Sequence, residues 1–354
     1  MGIANLPLHG GKAPPWLFER MTRLSREITA YIVGEYGAEE MLVRLSDPHW
    51  FQAFGCVLGF DWHSSGVTTT LCGALKEGLR GQENDVGLFV AGGKGRTSRQ
   101  TPAQIESFEH AISVDPAHLV YASRMAAKVD TSGLQDGYQL YHHTFIFTKN
   151  GSWAVVQQGM NESTRYARRY HWLGESVADF VCDPHAAVCC EGKSKVLNLV
   201  NGESAAARAT ITAIATEEKP EKSLNQLKRI KTLSLPSRHH ITPQDINPGR
   251  LSKGILLAYE RQPKDFEELL SLEGIGPKSI RALALISELI HGVSSSLSDP
   301  VRYSFAHGGK DGHPFPVDRQ TYDKSIEVLS QAVRKARIDS AEKSKALHRL
   351  DVMR

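Results

Sequence analysis

The stretch Leu272-Glu273-Gly274-Ile275-Gly276-Pro277-Lys278-Ser279-Ile280 constrains this chain more than any other part of it. An apolar helix is predicted from Asp265 to Leu272, a Gly-x-Gly turn ends it, and a second helix is predicted from Pro277 to Ile290. Two glycines let such a turn adopt positive φ and bring bare backbone close to a ligand. The second helix then points its free N–H groups at whatever docks there, and a phosphate is the natural guest.

Length and composition bound the rest. With 354 residues, 41% hydrophobic and 23% charged, the chain can bury proper cores and is expected to form two domains, residues 1–190 and 191–354. The fold class expected is α+β: a mixed helix and sheet module first, a mainly helical one after it. The 42 basic and 39 acidic residues leave a net charge of +3, which neither demands nor excludes nucleic acid. Lys222 to Arg238 is basic without one acid, a modest candidate for a phosphate track. The five cysteines form no disulfide framework, and no signal peptide or membrane-length apolar run is present, so a cytoplasmic, nucleoid-associated monomer is expected. Cys182, His185, Cys189 and Cys190 touch on metal spacing, but adjacent cysteines chelate one tetrahedral ion poorly, and no metal is expected.

Periodicity places the elements. Met21, Leu24, Ile28 and Ile32 mark the buried face of an opening helix, and a second helix runs through Glu39 to Leu45. From about Asp115-Pro116 the pattern is read as changing to strands. Tyr138 to Phe147, the turn dipeptide Asn150-Gly151 and Trp153 to Gln157 predict a β-hairpin. Helix returns from about Ser204, and Pro220, Pro236, Pro243 and Pro248 interrupt the approach to the glycine turn.

The helix–turn–helix layout around Gly274 and Gly276 resembles the helix-hairpin-helix motif of DNA repair proteins. Base-excision glycosylases of that superfamily carry a lysine directly after the hairpin, which Lys278 resembles, and an aspartate in a Val-Asp pair opening a later helix, which Val317-Asp318 resembles. The resemblance implies an enzyme that excises a base from DNA and cleaves the abasic site. Its lysine attacks the sugar C1′ to form a Schiff base, while the aspartate accepts a proton or stabilises the sugar cation. Gly274, Ile275, Gly276 and Ser279 would hold the DNA backbone. No cysteine follows Cys190, so the iron–sulfur cluster many members carry is excluded, and no cofactor is expected.

Most of the chain is also similar to a widespread prokaryotic family filed under a domain of unknown function. The matching stretches include Leu6 to Met21, Gly59 to Gly66, Ala127 to Asp130, Gln135 to Tyr138 and Gln157 to Asn161. That likeness brings no activity with it. A glycosylase must hold an everted base by its polar edge, and Asp61, Trp62, His63, Lys128, Asp130, Gln135, Asp136 and Gln158 are candidate pocket residues. The run Arg165-Tyr166-Ala167-Arg168-Arg169-Tyr170-His171-Trp172 interleaves guanidinium groups with aromatics. That suits bent or single-stranded DNA, and equally a helix with core aromatics and solvated arginines. Gly92 to Ser98 lacks the spacing of a phosphate loop; a backbone contact is the most it supports. Two other readings stand beside the glycosylase. One is a metal-dependent nuclease whose acidic and histidine residues lie in the first half, with the hairpin as clamp; the other is a noncatalytic DNA-binding protein.

Overall fold

A computed structural model describes residues 13–60, 66–190, 192–232, 247–302 and 319–353. Helices α1 (Pro15–Tyr36), α2 (Ala38–Ser46), α3 (Pro48–Val57), α4 (Gly66–Leu79) and the single turn α5 (Glu83–Val86) precede strand β1 (Leu88–Lys94). Helices α6 (Thr101–Glu106) and α7 (Pro116–Lys128) follow, then β2 (Leu134–Gln135), β3 (Gln139–Thr148), β4 (Trp153–Met160), β5 (Ala167–Leu173), β6 (Ala187–Cys189) and β7 (Leu197–Asn198). The remainder is helical: α8 (Ala205–Glu217), α9 (Pro220–Lys231), α10 (Pro248–Arg261), α11 (Phe266–Ser271), α12 (Pro277–Leu289), α13 (Arg319–Lys335) and α14 (Ser340–Met353). The fold is mixed α+β.

Its centre is an antiparallel sheet in the order β1-β3-β4-β5-β6. The predicted hairpin forms as β3 and β4, with Phe147 opposite Trp153 and Gly151 at φ +89 in the turn. Both faces of this sheet are covered. Phe89, Phe145, Phe147, Val155, Tyr170 and Trp172 pack into one core with residues of α7, α8 and α10 to α12. Leu88, Val90, Ile146, Ala154 and Val156 pack into the other with α1 to α4, α13 and α14. Burial on both sides explains why residues 145–147 and 153–156 read as continuous apolar runs rather than as alternation. The cores therefore divide by face of the sheet and not at residue 190, since helices from the C-terminal end return to the first four. Met21, Leu24, Ile28 and Ile32 are buried in α1 as their spacing predicts.

One expected element differs. Asp115-Pro116 opens helix α7 rather than a strand region: the Asp115 carboxylate accepts from the N–H of Ala117 at 2.9 Å, and Pro116 needs no amide hydrogen in the first turn. Pro220 and Pro248 likewise start α9 and α10. Pro236 and Pro243 lie outside the described residues, as does the end of the basic run. Among the described residues no helix is long and apolar enough to cross a membrane.

Candidate DNA-contacting turn and the polar network behind it

Helix α11 starts at Asp265, whose carboxylate accepts from Glu268 N–H at 2.8 Å, while the Glu268 carboxylate accepts from Lys264 N–H at 2.6 Å. Phe266, Leu269 and Leu270 bury its inner face. In the turn Gly274 has φ +94, which a side chain would strain. Gly276 is extended at φ −135, so the positive φ that the two glycines allow the turn is taken by Gly274. Gly276 caps α12 without a side chain, Pro277 fills the first position, and the first backbone bond is Ile280 N–H to Gly276 O at 3.1 Å. The N–H groups of Lys278 and Ser279 precede that bond, so the helix itself gives them no acceptor. Lys278 is exposed at this end. Ile275 and Ser279 are buried, so of these two only the backbone can meet a partner. Close packing from α10 holds Ser279 in place: a Cβ on Gly254 would lie 2.9 Å from its Oγ.

The turn is braced from behind by residues expected to line a base pocket. Lys128, the last residue of α7, donates from Nζ to the carbonyls of Leu272 at 2.9 Å and Ile275 at 2.5 Å. Burial pushes its pKa down, with Glu273 opposing. The ammonium thus bridges two carbonyls of the turn, of which Leu272 O also accepts from Ile275 N–H at 3.2 Å. Gln135 donates to Pro277 O at 2.9 Å and Ser132 O at 3.0 Å, and its Oε1 accepts from Arg281 Nε at 2.7 Å. Lys128 and Gln135 therefore set the turn's position, in place of reading a base with those same groups.

Between them, one π-helical turn (Val129–Gly133) carries Asp130 into the core. Its carboxylate accepts from Gln157 Nε2 at 2.6 Å, Trp172 Nε1 at 3.0 Å and His185 Nε2 at 2.5 Å. Gln157 Oε1 accepts from His143 Nδ1 at 2.8 Å, which leaves His143 Nε2 to accept from the Ser123 hydroxyl at 2.8 Å. Burial lowers the His143 pKa and favours the neutral ring this tautomer requires. In the sequence His185 stands out only as a candidate metal ligand beside Cys182, Cys189 and Cys190. Its role as a partner of Asp130 depends on a contact across 55 positions that no local pattern announces.

The arginine run is not a helix. From Ala167 it is strand β5, and successive side chains leave on opposite faces. Arg168, 0% exposed, donates to Asp136 at 2.9 Å and Asp299 at 2.8 Å, with its guanidinium 4.5 Å from the Tyr138 ring centroid. Burial works against that charge, but Asp136 leads the groups that outweigh it and move the Arg168 pKa up. Arg169, 1% exposed, donates to Gln52 at 3.0 Å, Pro48 O at 3.3 Å and His171 Nε2 at 2.8 Å. Neither can reach a phosphate, and Asp136 is a core ion-pair partner instead of a pocket residue. Arg165 alone of the three is exposed, in the turn before β5 at φ +60. Gln158 is buried and donates to the Tyr141 hydroxyl. Asp61, Trp62, His63 and Asp318 lie outside the described residues.

A family model described as "Protein of unknown function (DUF763)" matches residues 2–317. The chain belongs to that family. No curated protein matches it. No solved structure does so either. The matched DUF763 span takes in α7, the sheet and the whole α11–α12 turn with Lys278, so the bracing by Lys128 and Gln135 falls within the region this family shares.

Proposed function

We propose that this DUF763 chain is a DNA glycosylase with abasic-site lyase activity, a helix-hairpin-helix enzyme acting through Lys278. The observation that carries the reading is the exposed α11–α12 turn: a helix N-terminus with no side-chain cap, lysine beside it, held rigidly from behind by Lys128 and Gln135. Phosphate oxygens suit such a terminus, since N–H groups and the positive end of the helix dipole face the same point. A lysine there stands beside any backbone so held.

In the reaction the unprotonated Lys278 amine attacks C1′ of the target nucleotide, and the glycosidic bond electrons leave with the base. Asp318 takes the proton lost by the amine and returns it to O4′ as the C1′–O4′ bond opens, which leaves the Schiff base. Removal of a C2′ proton then expels the 3′ phosphate as leaving group. The target is a damaged or modified base, with modified cytosine of viral genomes one class among them. The enzyme would work in the cytoplasm, beside the nucleoid, as a monomer.

The test is borohydride trapping on duplexes carrying single modified bases, run in EDTA. A covalent protein–DNA adduct that forms in wild type and vanishes in Lys278→Ala supports the reading. An adduct that persists in that variant moves the nucleophile elsewhere. DNA cleavage that stops in EDTA and returns with divalent cation points to the nuclease. Binding without product on every substrate points to the noncatalytic protein.

A further inference from the structure

A second feature lies at the other core, away from the residues of the α11–α12 turn. Where β1 ends and β3 begins, helices α4 and α6 and the first turn of α1 enclose a cleft of about 1440 Å³. Three features of its wall matter. The first is a strand end with a fixed shape. Gly92 and Gly93 have φ of +89 and +142, a Cβ on Gly92 would fall 2.3 Å from His143 O across the sheet, and the Gly92 N–H is held by Gln104 Oε1 at 2.8 Å.

The second is charge. Among the described residues Lys76, Arg80, Lys94 and Arg165 face the cleft against Glu77 and Glu83. Arg80 and Glu77 pair at 2.6 Å and offset each other. The Lys76 ammonium is anchored to Gly92 O at 2.8 Å and Gln104 Oε1 at 2.6 Å, neutral acceptors that leave its charge in place. Burial moves its pKa down, with Glu77 opposing. Lys94 and Arg165 are exposed and make no ion pair among the described residues.

The third is an aromatic face. The register of β3 against β4 shifts between Leu140 and His142, so Tyr141 is bulged from the ladder. Gln158 pins its hydroxyl, and Lys94 lies 5.8 Å from its ring centroid. A flat ring held from behind, with Lys94 over it and Arg165 on the lining of the same cleft, offers stacking together with charge neutralisation.

We infer that this cleft binds a nucleoside phosphate, stacking its base on Tyr141 and meeting its phosphate with Lys94 and Arg165. Two sources carry that chemistry, a single-stranded DNA segment and a free nucleotide. The volume exceeds the roughly 300–1,000 Å³ of ordinary small-molecule sites, which favours several linked nucleotides. The inference does not depend on glycosylase chemistry and can fail or stand without it.

The experiment titrates full-length protein with fluorescein-labelled dT12, with a 12-base-pair duplex, and with dTMP, following anisotropy for the DNAs and calorimetry for the nucleotide. Binding of dT12 is expected to exceed that of the duplex. Lys94→Ala/Arg165→Ala should weaken dT12 at least tenfold and flatten its salt dependence by about 1.4 in log–log slope, two phosphates at roughly 0.7 each for a single strand. Tyr141→Leu should weaken it further, and Tyr141→Phe, which keeps the ring, should not. If dTMP binds with the same variant sensitivity and dT12 does not, the site takes the free nucleotide. If neither binds, or if the double variant binds both as wild type does, the inference is overturned. Because Lys94 and Arg165 are surface residues, unchanged thermal melting of the double variant separates lost binding from lost fold. Borohydride trapping scored in parallel shows whether the Lys278 reading fails independently.

Discussion

The arginine run of β5 and the turn between α11 and α12 both suit DNA when taken as strings of residue types. In β5 the cations go inward: Arg168 and Arg169 leave opposite faces of a covered strand, and each meets partners brought from far along the chain. In the turn the one cation, Lys278, stays at the surface, and the inner positions go to Ile275 and Ser279. Charge type is a weak guide to exposure. Backbone geometry is a better one, because a turn that leaves N–H groups without acceptors must face water or a ligand.

The largest effect expected from this contrast is in β5. Removing the guanidinium in Arg168→Met strands Asp136 and Asp299 in the core and should cost about 3–5 kcal/mol, seen in chemical denaturation. A folded, stable variant that merely loses DNA affinity would break the comparison.

Acid should act on the opposite face of the sheet. His142 is buried, and burial first, then the charges of His143 and Lys94, bring its pKa from 6.5 down to about 3. The unfolded chain therefore binds a proton there that the folded chain refuses, so stability is full above pH 6.5 and falls as pH drops toward 3. The slope expected from this one group is about 1.4 kcal/mol per pH unit within that window. Melting curves at stepped pH check it, and His142→Asn should make the acid limb shallower; an unchanged limb would place the titration elsewhere.

Behind the turn, Lys128→Met leaves the Leu272 and Ile275 carbonyls without their ammonium and should cost about 1–3 kcal/mol. Hydrogen exchange should quicken in α11 and the start of α12 before the sheet responds. The glycines sharpen the point further. Gly274→Ala meets positive φ and should cost roughly 1–2 kcal/mol, whereas Gly276→Ala, extended with nothing within 4 Å of its Cβ, should be close to neutral. Equal effects would mean the turn is not held as described.

The smallest stability effect belongs to Lys278→Ala, within about 0.5 kcal/mol as for other exposed positions, beside the complete loss of trapping already expected. A variant that unfolds would make Lys278 part of the fold instead.

Local patterns carried much of this architecture. The spacing in α1, the Asn150-Gly151 turn and the helices either side of Gly274 are set by neighbours a few residues apart, and they form where expected. Asp115-Pro116 was legible too, as a cap followed by proline, and a strand reading missed it. Lys128 and Gln135 stood out as polar groups, but their task could not be read. Each acts on backbone more than 140 positions away.

What the sequence by itself determined is the set of elements whose signals are short: helical stripes, caps, a hairpin, and the glycine turn with its lysine. Only the tertiary structure decided that both faces of the sheet would be covered, that two arginines would sit in the core with their partners, and that Lys128 would brace the turn from behind. The physical reason is range. Dihedral preferences and periodicity act within a few residues, while the partner that makes a buried charge tolerable is chosen by how the chain closes on itself.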